Sequence, residues 1–147
     1  MDSRNITKIV RNMTLYKNKK NKEKDFLNDS EFEMVRYITK KEGLSLVDLS
    51  TYLNVDKSLV TRMSKKLLKL GYIEIINATN DKRKKILIAT EKAQEIKREV
   101  KNEEITFYNT CLKVLSNKEL IEFDKLVNKV YLESKRLRKS GFKDVKE

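Results

Sequence analysis

The chain contains no proline and only three glycines, Gly43, Gly71 and Gly141, in 147 residues. Proline breaks a helix by removing a backbone donor, and glycine does so by its conformational freedom, so little here interrupts an α-helix. Long helices are therefore expected wherever apolar residues recur at helical spacing, and strands only where β-branched residues crowd together. The few breakers mark the joints.

Ile6, Ile9, Val10 and Met13 recur at three-or-four spacing and predict an amphipathic helix from Asn5 to about Tyr16. The lysine-rich stretch Lys17–Lys24 either extends it or links it onward as solvated surface. Asp29 or Ser30 is read as the cap of a second helix from Glu31 to Lys41, with Phe32, Val35 and Ile38 inward and Gly43 ending it. Ser45 with Asp48 forms a weak capping box for a short third helix that stops near Leu53. Asn54 stands where a left-handed residue is wanted. Asp56 then caps a fourth helix running to Leu70, with Val55 and Val60 as its hydrophobic staple and Gly71 as its stop. Two short helices joined by so tight a turn are a helix-turn-helix signature.

Tyr72–Ile76 and Ile86–Ile88 are two β-forming runs around a polar loop, a hairpin that reads as a wing. Thr90 caps a long helix with the stripe Ala93, Ile96, Val100, Phe107, Cys111 and Val114, which Glu104 interrupts. Ser116 with Glu119 is a capping box for the last helix, striped by Leu120, Phe123, Val127, Val130 and Leu137, and the tail from Lys139 is expected to fray. The fold class is mainly α with a small β-hairpin wing. Residues 29–90 form a winged helix-turn-helix module, and residues 1–28 and 91–147 a helical module, in one compact chain without linker-separated domains. The apolar stripes of the outer helices find no partner within so small a module, so they should pair across a two-fold axis.

Lysine and arginine number 34 against 22 acidic residues, a net charge of +12 that attracts polyanions, nucleic acid first and acidic membrane surfaces second. With no histidine, histidine-based zinc sites and Ser-His-Asp or Cys-His nucleophiles are excluded. Phosphate-cradling glycine loops are absent too, so an enzyme is not expected, nor a metal or cofactor. The single cysteine, Cys111, forbids an intramolecular disulfide; its place on an apolar stripe reads as a buried structural thiol. The start of the chain lacks an apolar signal-peptide region, and no apolar run approaches membrane-spanning length, so a cytoplasmic protein is expected.

On a helical wheel the fourth helix turns Val60, Met63, Leu67 and Leu70 to one side and Ser58, Thr61, Arg62, Lys65 and Lys69 to the other. Small polar and cationic side chains on the second helix of such a motif suit a recognition helix in a major groove: Lys57, Ser58, Leu59, Thr61, Arg62 and Lys65 are its candidate contacts. Leu59, at the rim, can touch a thymine methyl. The hairpin loop ends in four consecutive cations, Lys82–Lys85, and its candidates are Asp81, Lys82, Arg83 and Lys84, with Asp81 placed to hydrogen-bond Arg83 and aim its guanidinium.

Here the chain resembles the MarR family. Leu67-Leu68-Lys69-Leu70-Gly71-Tyr72-Ile73-Glu74 is similar to that family's junction between recognition helix and wing, Asp81-Lys82-Arg83 to its Asp-x-Arg wing signature, and Thr90-Glu91-Lys92 to the start of its next helix. Ala89 and Ala93 depart from the family's Leu and Gly, which bears on local packing. The resemblance spans about Asn5 to Leu137. It implies a homodimer with interlocking N- and C-terminal helices, and a regulator of transcription, a repressor by expectation, on a pseudo-palindromic operator. It also implies Arg83 in a minor groove, with Thr61 and Arg62 facing a major groove. By the same resemblance Tyr16, Phe26, Phe32, Tyr37, Phe107 and Tyr108 border a pocket for a phenolic or anionic effector, against the plainer reading as core. The alternative function, from charge alone, is a basic RNA-binding or ribosome-associated protein; the wing carries no stacking aromatics besides Tyr72 at its base, which disfavours it.

Overall fold

The computed structural model describes residues 1–20 and 27–147; Phe26 and residues 21–24 of the lysine-rich stretch lie outside the described residues. The elements are α1 (Arg4–Lys20), α2 (Asp29–Thr39), β1 (Leu44–Ser45), α3 (Leu46–Leu53), α4 (Lys57–Lys69), β2 (Ile73–Asn77), β3 (Lys85–Ala89), α5 (Glu91–Leu112) and α6 (Asn117–Lys139). They divide into two compact units, Met1–Ile105 and Thr106–Glu147. Among the described residues, no helix is long and apolar enough to cross a membrane.

In the first unit α1 continues past Tyr16 to Lys20, so the start of the lysine-rich stretch is helical. The cap of α2 is Asn28, not Asp29 or Ser30. Its side chain accepts the Glu31 N–H at 2.8 Å while Glu31 reaches back to the Asn28 N–H, a complete reciprocal box. The helix ends at Thr39 with Lys40 in right-handed geometry, three residues before the glycine expected to stop it.

Gly43 has a different task. A Cβ there would lie 2.6 Å from the Ile86 Cγ2 methyl, so the missing side chain lets β1 approach β3. β1 itself is a correction to the two-stranded hairpin. The sheet has three antiparallel strands in the order β1-β3-β2, with Leu44 opposite Leu87 and Ile75 opposite Leu87 on the other side. Gly43→Ala should force β3 outward and cost about 1–3 kcal/mol, as overpacking usually does. Urea unfolding checks it.

Alternation along β2 and β3 sends Ile73, Ile75, Leu87 and Ala89 inward, where they meet Met34 and Ile38 of α2, Leu49 of α3, and Val60, Met63 and Leu67 of α4. Ala93 on α5 closes this core and is fully buried, so the departure from the family's Gly is accommodated by packing. On α1, Met13 is buried while Ile6, Ile9 and Val10 are exposed.

The second unit holds the end of α5 and all of α6. Ser116 caps α6 through the expected box with Glu119. No residue of α6 is buried: Leu120, Phe123, Val127 and Val130 stand exposed, and Leu137 is half-buried. Cys111 is exposed in this chain and not buried, and Val114 lies beyond the end of α5. The tail does not fray at Lys139. Gly141 at φ 68° turns the chain so that the Phe142 N–H donates to the Leu137 carbonyl at 2.8 Å and the Gly141 N–H to that of Arg138 at 3.0 Å. Arg136 fastens the turn to Asp144 at 2.9 Å and also grips Glu133, whose carboxyl it holds below the usual range.

Candidate nucleic-acid interface

The turn between α3 and α4 is built by local chemistry. Asn54 takes the left-handed conformation (φ 54°, ψ 49°), and the Val55 N–H returns to the Ser50 carbonyl at 3.2 Å. The Ser50 hydroxyl then donates to the Val55 carbonyl at 2.6 Å, so one serine ties both sides of the turn. At the head of α3 the Ser45–Asp48 box is complete; the Ser45 backbone N–H, then its hydroxyl, then the charge of Lys84 hold the Asp48 carboxyl below its ordinary value.

Val60, Met63 and Leu67 of α4 are buried, and so is Ser64, whose hydroxyl donates to the Val60 carbonyl at 2.7 Å. Lys57, Ser58, Arg62, Lys65 and Lys69 are exposed on the other side. Thr61 is half-buried, its hydroxyl donating to the Lys57 carbonyl at 2.9 Å. Leu59 is half-buried against the core, which leaves only its outer part for a methyl contact. Asp56 occupies the capping position of α4, but its side chain makes no capping bond, and the first turn carries no acidic residue. The helix therefore opens on uncapped N–H groups beside the Lys57 ammonium, an arrangement unfavourable to the helix dipole and suited to an anion.

In the wing loop the Ala78 N–H donates to the Lys84 carbonyl at 2.8 Å and the Lys84 N–H to the Asp81 carbonyl at 3.1 Å. Asp81 does contact Arg83, though not as expected: its carboxylate accepts the Arg83 backbone N–H at 2.9 Å, not the guanidinium. The aspartate shapes the loop and leaves the charge to point outward. Among the described residues, none of Lys57, Arg62, Lys65, Lys82 and Arg83 has an acidic partner within ion-pairing distance. Five unpaired cations on adjoining parts of one unit are what a phosphate backbone neutralises.

Two contacts that hold α4 have no counterpart in the sequence reading. Glu31, 3% exposed, receives the Lys66 ammonium at 2.7 Å and joins α2 to α4. At the other end of α4, Gly71 (φ 82°) closes the helix as the Gly71 N–H donates to the Leu68 carbonyl and the Tyr72 N–H to that of Leu67. Thr90 and Lys92 of the α5 turn then reach back to this exit. The carboxylate could have been noticed, since Glu31, Val35 and Ile38 share one helical arc.

The aromatic residues expected at an effector pocket have partners inside the chain. Lys17 lies 5.9 Å from the Phe32 ring centre and pairs with Glu104 at 3.2 Å. Tyr37 stacks on Tyr52 at 3.6 Å, and the Lys20 ammonium stands 6.0 Å from the Tyr16 ring. In the second unit Phe107 meets Tyr108 edge-on at 5.5 Å.

A helix-turn-helix whose second helix faces outward, followed by a cationic hairpin on a three-stranded sheet, defines a winged helix-turn-helix protein. The MarR family model matches residues 27–85. An HTH-type transcriptional regulator of Clostridioides difficile, BilQ, is 35% identical over 120 residues, covering 82% of this chain and 80% of that one. The chain belongs to the MarR family of DNA-binding transcriptional regulators. Solved structures share its fold. YusO of Bacillus subtilis gives a TM-score of 0.73 at 19% identity, covering 86% of each chain. FabT of Streptococcus pneumoniae, solved in complex with DNA, gives 0.71 at 22%, covering 90% of this chain and 94% of that one.

Proposed function

We propose that the chain represses transcription in the cytoplasm as a homodimer, each protomer placing α4 in a major groove and its wing in the adjacent minor groove of a pseudo-palindromic operator. The observation that carries this reading is the set of unpaired, exposed cations on α4 and the wing. Lys57, Lys65, Lys82 and Lys84 supply phosphate contacts; Ser58, Thr61 and Arg62, with the rim of Leu59, read base edges; Asp81 shapes the loop that presents Arg83. Residues 29–90 are the reading module. Residues 1–28 and 91–147 supply dimer contacts, supported by the exposed apolar side chains of α1 and α6. The relative solved with DNA, FabT, supports duplex DNA as the partner. A phenolic or anionic effector near Tyr16, Phe32, Tyr37 and Phe107 would release the operator.

Light scattering at micromolar concentration should give twice the protomer mass, and a stable monomer would contradict the dimer. In competition, duplex DNA should displace a bound labelled duplex well below the concentration at which single-stranded or structured RNA does. Equal displacement by RNA would instead support a basic RNA-binding protein.

A further inference from the structure

Three successive carbonyls leave the recognition helix at its exit, and the first turn of α5 receives all of them. The Leu70 carbonyl accepts the Lys92 ammonium at 2.6 Å, the Gly71 carbonyl accepts the Thr90 hydroxyl at 2.6 Å, and the Tyr72 carbonyl accepts the Thr90 N–H at 3.1 Å. Among the described residues, no backbone N–H turns back to the first two. The Thr90 oxygen also accepts the Ala93 N–H at 3.4 Å, so the residue that caps α5 is the residue that holds the end of α4. Lys92 adds charge to the joint: its ammonium sits at the negative end of the α4 dipole and 4.6 Å above the centre of the Tyr72 ring, itself buried in the core.

Val60, Met63 and Leu67 seat α4 on the core, and its exit turns on one glycine. Gly71 at φ 82° is the point of greatest backbone freedom, and a Cβ on it would stand in van der Waals contact with the Lys92 Cδ at 3.9 Å, so the Lys92 side chain lies directly over the turn. A charge-assisted bond to Leu70, before the glycine, bridges the hinge and fixes the direction of α4 against α5. We propose that Lys92 is a positioning residue that sets the spacing of the two half-sites the regulator accepts. This rests on the homodimer reading above: if the outer helices join two protomers, the α4–α5 angle fixes the distance between two recognition helices. Lys92 acts through α4 and need not touch DNA.

The test uses the full-length protein and duplexes carrying two copies of the half-site that it enriches from a random pool. The spacing is the enriched one or differs by one base pair either way. One base pair turns a half-site by about 35° and shifts it about 3.4 Å, so the unmodified protein should prefer its own spacing by about tenfold or more. Lys92→Met should narrow that preference to about threefold or less while keeping its slope of log affinity against log salt, since no phosphate contact is lost. Lys92→Arg, which keeps the cation over Tyr72 and a donor for Leu70, should restore the preference. Urea unfolding checks that Lys92→Met is folded; should it fail, Lys92→Gln, with a donor but no charge, carries the same expectation. An unchanged spacing preference in the folded variant overturns the proposal, as does a uniform loss of affinity with a shallower salt slope, which would make Lys92 a phosphate contact. If the unmodified protein has no spacing preference, the paired half-site reading falls and this proposal falls with it.

Discussion

A variant with Lys57, Lys65 and Lys82 all changed to Gln should lose about 500-fold in affinity for duplex DNA at 0.1 M salt for each protomer that engages the duplex. Each lysine that neutralises one phosphate contributes about 0.9 to the slope of log affinity against log salt, so the three together should make the slope shallower by about 2.7 per protomer, about 5.4 for a bound dimer. The loss should be nearly the same on an operator and on random duplex, because phosphate contacts carry no sequence information. None of the three has an acidic partner among the described residues, so no internal ion pair is broken. Lys57 adds a readout of opposite sign. It is the first residue of α4, where a cation opposes the helix dipole, so Lys57→Gln alone should raise stability by about 0.3–1 kcal/mol while weakening DNA binding. Titrations from 50 to 300 mM salt and urea unfolding of the single variant measure both. A slope unchanged in the triple variant would place the phosphate contacts elsewhere.

Lys66→Ala should be the most destabilising change on the outer side of α4, at about 3 kcal/mol. It leaves the Glu31 carboxylate, 4% exposed in its side chain, buried without its cation. Breaking a buried pair from one side costs about 3–5 kcal/mol; Lys66 is 45% exposed, so water relieves part of this and the lower end applies. The double change Glu31→Gln with Lys66→Ala should recover most of the loss, since Gln still serves the capping box with Asn28 and needs no counter-charge. Unfolding must be followed at one fixed protomer concentration, because the proposed dimer would shift apparent stability. A single variant within about 1 kcal/mol of the parent would show that the pair contributes little.

The parts of the fold that were legible in the sequence are those set by chemistry within a few residues. Ser45 with Asp48, Ser116 with Glu119, and Asn54 between two helices all took the conformations their neighbours dictate. The rule alone does not choose the cap of α2, because Asn28 has Glu31 and Ser30 has Glu33 three residues on; the structure forms the Asn28–Glu31 box. β1 was not readable, since two residues show no alternation and its pairing partner lies more than forty positions away. Nor were the contacts that aim α4. The Glu31–Lys66 pair and the Lys92–Leu70 bond join residues far apart in the chain, and only the tertiary packing makes them neighbours. The outward face of α4 was legible because helical spacing alone sorts Arg62 and Lys65 from Met63 and Leu67. The Asp81–Arg83 contact was anticipated as a pair but not as the backbone bond it is. Cys111 was misjudged because an apolar stripe shows which face seeks burial, while the burial itself needs a partner surface.

The central claim is that α4 and the wing read duplex DNA together. It is tested most directly by equilibrium binding of Arg62→Ala, Lys82→Ala and Arg83→Ala to an operator enriched by the unmodified protein and to a scrambled duplex of equal length. Arg62→Ala should lose about 1–3 kcal/mol more on the operator than on the scrambled duplex, the discrimination carried by one base-reading arginine. Lys82→Ala should weaken both duplexes alike and lower the salt slope by about one unit per bound protomer. Arg83→Ala should fall between them and lose most on AT-rich flanks, whose narrow minor groove holds a guanidinium best. Three variants that bind both duplexes as the unmodified protein does would contradict the account at its base.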